Sequence, residues 1–319
     1  MSFSNKIKGC LVGYAIGDAL GRGTEFMTAP EVSRRYPDGL RSYDAIIRDA
    51  VRSRFRRGDF TGDTTVVLSM TESLIERNGI DYLDFARRYK EWFDTQAPED
   101  SDSHMRMVLQ HPDFLTDPHA ASKSVYEQQA LFEAPNEALG RAVLIGLWPG
   151  STEKDVRENC QVTHWDYRCV ASCVIIATMA NELLWHRREA DYDRLTGIAS
   201  RLDKRVLPYL EAAREGELDD FDLDDEDTYW YVRKNMGAAL WSMWHHTDPE
   251  EALYDVIRHG GDANGNAALT MGLMGLKYGF SRLPAHLVEA LLELDRVTTM
   301  ADRLITSLQN ADTQRDTDE

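Results

Sequence analysis

Apolar residues recur at intervals of three and four through most of this chain, whereas runs that alternate apolar and polar are scarce. An α-helix returns side chains to one face at that period, so the pattern restricts the chain to an all-α fold. Helices are expected over Asn5 to Leu20, Thr64 to Asn78, Tyr82 to Phe93, Ser122 to Leu147, Tyr167 to His186 and Tyr192 to Arg214. Further ones are expected over Val232 to His245, Pro249 to His259, Asn266 to Tyr278 and Ala285 to Leu294. Asn78-Gly79 closes one helix, and Thr247-Asp248-Pro249 opens another with a capping residue before proline. The 319 residues are read as one compact helical domain over 1–308, with an acidic, flexible tail over 309–319.

Hydrophobic residues make up 43% of the chain and charged residues 28%, a globular balance with enough apolar side chains for a core. A formal net charge of -18 argues against gripping nucleic acid through the overall field, since phosphate binding needs positive charge. A small anion in a local pocket stays open. The acidic run Glu215 to Asp227 reads as a solvated linker, with calcium binding as the alternative. Arg52 to Arg57 is a basic cluster, either a solvated loop or a surface for an anionic partner. It falls in Arg41 to Phe60, which with Pro98 to Pro118 is long, polar and irregular; such loops serve a site or move. Cys10, Cys160, Cys169 and Cys173 form no CxxC pair, which fits buried thiols in a reducing compartment. No signal peptide and no run of about 18 apolar residues is apparent, so a cytoplasmic protein without a membrane span is expected.

Three polar patches interrupt the apolar helices at their boundaries. Gly17-Asp18-Ala19-Leu20-Gly21 precedes Glu25, and its glycines permit close backbone approach. Gly58 to Thr65 sets Thr61 and Asp63 before an apolar run, as helix caps or as oxygen ligands for a hard cation. Gly260 to Ala268 carries Asp262, Asn264 and Asn266 into a helix whose Gly272, Gly275 and Gly279 suit close helix packing.

Taken together, these stretches resemble the ADP-ribosylglycohydrolase family. The matching segments are KIKGCLVGYAIGDALGRGTEF at 6–26, GDFTGDTTVVLSMTESL at 58–74, THWDYRCVASC at 163–173 and EEALYDVIRHGGDANGNAALTMGLMGLKYG at 250–279, in the family's order. The resemblance implies an orthogonal helical bundle with a cleft for two magnesium or manganese ions. It implies a catalytic role for Glu25 and metal-ligand roles for Thr61, Asp63 and Asp262. Asp18, Asn264 and Asn266 would contact substrate, and Asn266 agrees with an asparagine of one branch of the family.

Departures fall in the same motifs. The middle aspartate of the family's Thr-Asp-Asp triplet is Gly62, the second aspartate of its Asp-x-Asp-Ser/Thr motif is Asn264, and the following hydroxyl residue is Gly265. With two carboxylates and one hydroxyl gone, at most one magnesium or manganese ion, weakly held, is expected. The segment that borders the family's substrate pocket aligns on Gly140 to Pro149; Gly140 is kept and Arg141 is new, open to a phosphate or to a helix surface. His164 opens the THWD segment, as a structural histidine or a substrate contact. The resulting expectation is a hydrolase of a glycosidic bond to ADP-ribose or a related ribosyl nucleotide, on a small-molecule or protein-linked substrate. The alternative is a non-catalytic module that binds ADP-ribose or ADP-ribosylated partners.

Overall fold

The structure is a computed structural model that describes residues 1–96, 103–129 and 134–318. Among these there are sixteen α-helices, several short 3-10 turns, one π turn and no β-strand, so the all-α class holds. The first six helices are α1 (Phe3–Gly21), α2 (Ala29–Arg35), α3 (Gly62–Arg77), α4 (Tyr82–Gln96), α5 (Ser103–Leu109) and α6 (Pro118–Gln128). Then come α7 (Leu139–Leu147), α8 (Glu153–Gln161), α9 (Tyr167–Asn181), α10 (Tyr192–Leu202) and α11 (Leu207–Glu215). The last five are α12 (Val232–His245), α13 (Pro249–Ile257), α14 (Ala263–Tyr278), α15 (Ala285–Ala290) and α16 (Leu294–Asp318).

The chain divides into two compact units. One comprises Met1–Thr64 with Pro208–Asp302, the other Thr65–Leu207 with the described part of the segment from Arg303. The first is organised on an antiparallel seam between α1 and α14. A Cβ added at Gly9, Gly13, Gly17 or Gly21 would come within 2.3, 2.4, 2.1 and 2.4 Å of the carbonyl oxygens of Gly275, Met271, Ala267 and Ala263 respectively. Only glycine at every fourth position lets the two backbones approach this closely. The seam sets the C-terminal end of α1 beside the N-terminal end of α14, which is where the first and third polar patches lie.

In the second unit α9 is buried against α7, α8 and α10. Tyr167–His186, which joins α9 to the π turn, has a mean hydropathy of 1.4 and the length of a membrane span, contrary to the sequence expectation. Its apolar window is 78% buried inside the protein, as befits a core helix.

Other departures have local causes. The expected helix over Ser122 to Leu147 is two, α6 and α7; Pro135 lies between them and has no N–H with which to continue a helix. Tyr192 to Arg214 is broken at Asp203, whose carboxylate accepts from the Arg205 N–H and starts a new turn before Pro208. The stretch Pro98 to Pro118 lies partly outside the described residues and otherwise holds α5. The expected tail over 309–319 falls largely in α16, which buries Val297, Ala301, Leu304 and Leu308 along one face.

The acidic run 215–227 is solvated at nearly all of its carboxylates, as expected, but it is not a loose linker. Leu218, Phe221 and Leu223 are buried, and the Asp224 carboxylate accepts from the Ala29 N–H at 2.7 Å. Buried Lys234 donates from Nζ to the Asp222 carbonyl and lies 3.6 Å from the Asp225 carboxylate, which answers part of the local negative charge.

Candidate active site

Asp18 on α1 is fully buried, and its Oδ2 accepts three hydrogen bonds at the start of α3. They come from the Thr61 N–H at 3.0 Å, the Thr64 N–H at 3.1 Å and the Thr64 hydroxyl at 2.6 Å. These satisfy N-terminal donors that a helix cannot satisfy itself. Burial raises the Asp18 pKa, while the bonds from Thr64 and Thr61 oppose the shift. Thr61 Oγ accepts from the Asp63 N–H at 3.2 Å, and Asp63 Oδ2 accepts from Asn264 Nδ2 at 3.2 Å. The second and third patches, 201 residues apart, therefore meet through two side chains. Buried Tyr14 reports the same neighbourhood: its pKa is pushed well up by burial and by the charges of Asp63, Asp18 and Asp262. Asp18 Oδ1, Asn264 Oδ1 and both amide atoms of Asn266 are buried without a hydrogen-bond partner in the protein.

Glu25 lies in the turn after α1, and arginines hold that turn. Arg52 Nε donates to the Gly23 carbonyl at 2.8 Å, its Nη2 to the Glu25 carbonyl, and its Nη1 to Asp49. The Arg22 guanidinium lies 3.4 Å from the Glu25 carboxylate and stacks 3.4 Å from the centroid of the Phe55 ring. The basic cluster 52–57 is thus not wholly a loop or partner surface, because Arg52 is spent on buried backbone. Across the turn the Phe26 N–H donates to the Gly261 carbonyl and the Gly261 N–H to the Met27 carbonyl, both at 2.8 Å. Gly260 and Gly261 have φ of 71° and 64°, and a Cβ on either would strike the Met27 or Leu223 carbonyl oxygen. Phe26 itself has φ 59°, a left-handed conformation that costs a bulky L-residue about 1–2 kcal/mol. The tertiary bonds to Gly261 hold it there.

Asp262 occupies the N-cap position of α14 without a side-chain capping bond, and its carboxylate lies over the first turn of the helix: a Cβ at Gly265 would be 2.6 Å from Asp262 Oδ2. The glycine that replaces the hydroxyl residue of the resembled motif gives Asp262 that room. Glu25, Thr61, Asp63, Asp262, Asp18, Asn264 and Asn266 all belong to the first unit.

Gly140, Arg141 and His164 belong to the second unit and are buried. Arg141 is 0% exposed; it donates to the Asn159 Oδ1 and carbonyl and to Thr163 Oγ at 2.8 Å, with its guanidinium over the Phe85 ring. The expected phosphate contact is corrected by this placement: the arginine is spent on the interior. His164 is held between Thr163 Oγ at 2.7 Å and the Glu137 carboxylate at 2.9 Å. Gly140 lies on buried α7 and offers no side chain.

Sequence reasoning missed Arg22, Arg52, Tyr14 and Tyr229 as parts of this region. The basic cluster was the available signal for Arg52; the others look like ordinary helix or loop residues until the seam brings them in.

An all-α fold with acidic side chains gathered at helix starts is the class these features define. The ADP-ribosylglycohydrolase family model matches residues 1–314, and the chain belongs to that family. It is 25% identical over 314 residues to an ADP-ribosylarginine hydrolase Tri1 of Serratia proteamaculans, covering 94% of this chain and 79% of that one. It is 24% identical to an ADP-ribosyl-[dinitrogen reductase] glycohydrolase of Rhodospirillum rubrum, covering 89% of each. A solved chain described as an ADP-ribosylglycohydrolase-related protein complex matches with a TM-score of 0.74 at 22% identity, over 96% of this chain and 98% of that one, and supports the fold. The chain is accordingly a glycohydrolase-type enzyme.

Proposed function

We propose that this enzyme hydrolyses the glycosidic bond that joins ADP-ribose, or a related ribosyl nucleotide, to a protein side chain or small acceptor. The names of the relatives, which act on ADP-ribosylarginine and on ADP-ribosylated dinitrogen reductase, favour a protein-linked substrate. The observation that carries the reading is the Asp63–Asn264 contact beside Asp18 and Thr61, because it joins the early and late acidic motifs in one unit.

The donors Thr61, Asp63 and Asp262 suit one hard cation better than two. Among the described residues no group of three His, Cys, Asp or Glu side chains is arranged to hold a metal. A hydroxyl and two carboxylates leave half of an octahedral shell to water, so magnesium or manganese would be weakly held. When bound, such an ion would supply Lewis acidity at the ribose hydroxyls.

The remaining chemistry belongs to the chain. As the bond from the ribose anomeric carbon to the acceptor nitrogen or oxygen breaks, positive charge grows on the sugar and Asp262 opposes it. Glu25 orients a water and takes its proton while the water oxygen bonds to the anomeric carbon. The leaving acceptor is protonated from Glu25 or solvent. Glu25→Gln keeps size while removing the base, and turnover of ADP-ribosylated arginine or serine should fall roughly 100-fold. Asp262→Asn should also lower turnover, with both variants compared at equal folded fractions. Wild-type turnover that persists in both variants would sink the mechanism.

A further inference from the structure

A cavity of about 300 Å³ in the first unit is lined by α2, the loop that follows it and α13, and it shares no wall with Asp18, Thr61, Asp63, Asp262 or Asn264. Buried Val32, Leu40 and Ile257 give it an apolar side. Four charged residues complete it, and they fall into two kinds. Asp255 and Arg258 pair with each other at 2.6 Å, and Asp255 also meets His246 at 3.0 Å. Among the described residues neither Arg41, which opens the polar segment 41–60, nor Glu251 on α13 has an ion-pair partner. A cation and an anion thus line one cavity without meeting.

Arg41 is nevertheless held in place. Its guanidinium carbon lies 3.8 Å from the centroid of the Tyr254 ring, and a Cβ at Gly39 would come within 3.4 Å of its Nε. Tyr254 is itself fixed by a 2.6 Å bond from its hydroxyl to Glu250. Stacking takes up the face of the guanidinium and leaves its N–H edge, which is the part that recognises a carboxylate. A simple anion in this cavity would gain from Arg41 but be opposed by Glu251, and a simple cation would meet the reverse. A zwitterion satisfies both, and the apolar side takes up a hydrocarbon body.

We infer that this cavity binds a free α-amino acid with an apolar side chain, its carboxylate on Arg41 and its ammonium on Glu251. Carboxylate, ammonium and side chain all spring from one carbon in such a molecule, so the three kinds of wall are served by a small ligand. Thr24 and Tyr36 also line the cavity. Thr24 precedes Glu25, and the Tyr36 hydroxyl donates to the Gly23 carbonyl at 2.9 Å, the acceptor that Arg52 also uses. The bound amino acid therefore rests against the turn that carries Glu25, as an effector and not as a substrate.

The test is calorimetric titration of the full chain with L-leucine, with isocaproate, which lacks the ammonium, and with isopentylamine, which lacks the carboxylate. Wild type should bind L-leucine at least about 5-fold tighter than either. Arg41→Gln should erase the advantage over isopentylamine and keep that over isocaproate; Glu251→Gln should do the opposite. Both side chains are exposed, so both variants should melt as wild type does. L-Phenylalanine, with hydrocinnamate and phenethylamine, repeats the comparison for a larger side chain. If neither amino acid is preferred over its two partial analogues, or if the preference survives either substitution whole, the inference is overturned. No readout here needs turnover, so its failure is separate from failure of the glycohydrolase reading.

Discussion

The two units each bury a polar network, and the networks differ in what they leave unpaired. In the second unit Arg141 donates to Asn159 and Thr163, Thr163 meets His164, His164 meets Glu137, and His104 bonds to the Thr163 carbonyl and Gln129. In the first unit Asp18 and Asn264 each keep one oxygen without a protein partner, and Asn266 keeps both amide atoms so. Buried polar groups normally find partners because leaving one unpaired costs about 1–3 kcal/mol. The first network leaves mostly oxygens uncommitted, at a cost in stability; the second commits most of its donors to neighbouring helices, the Arg141 Nη1 atom being the exception. Burial by itself therefore does not identify the site, and Arg141 demonstrates this.

The largest expected effect comes from cutting the second network. Arg141→Ala removes a large buried side chain and strands Asn159 and Thr163, so it should destabilise by about 3–5 kcal/mol in denaturant unfolding. Asn266→Ala in the first network removes no protein hydrogen bond at the side chain and should cost less than half as much while lowering turnover. Equal losses of stability would erase the contrast between the two regions.

A smaller, pH-dependent effect sharpens it. Burial pushes the Asp84 carboxyl up, but hydrogen bonds from Arg88, Arg87 and Arg77 outweigh this and hold it well below the usual carboxylate range. With its pKa depressed in the folded state, Asp84 contributes stability above the unfolded value near 4, and loses it as pH falls through the folded value. Asp84→Asn should cost about 1–3 kcal/mol at pH 7, because the carboxylate is buried although two of its three arginines are half-exposed. The gap from wild type should narrow steadily below about pH 4. A gap independent of pH would show that the arginines act by packing.

The smallest effect has the opposite sign. Gly197 is in the middle of α10, lines a cavity of about 420 Å³, and has nothing within 4 Å of the place its Cβ would take. Gly197→Ala should stabilise by about 0.5–1 kcal/mol, since it removes a helix-interior glycine without a clash. A lower melting temperature would show that the position is tighter than this geometry allows.

The sequence by itself determined the helical class, Val232–His245 to the residue, most other helix starts and ends within a few residues, and the family through four ordered motifs. It also placed Asp63 and Asn264 in motifs that had to meet. These follow from local causes: periodicity, capping chemistry and motif order are written along the chain. Long-range packing decided the rest. The four-residue glycine spacing of α1 is legible, yet its meaning depends on the carbonyls of α14 more than 240 residues away. Arg52 and Arg141 look alike in sequence to any surface arginine, and only tertiary placement buried one on the Gly23 and Glu25 carbonyls and the other on Thr163. Phe26 carries no signal of its own in the sequence; its left-handed backbone and its neighbour Tyr229 arise because Gly261 is held against the same turn. Hydrogen bonds between distant segments set these outcomes, and a one-dimensional pattern carries no term for them.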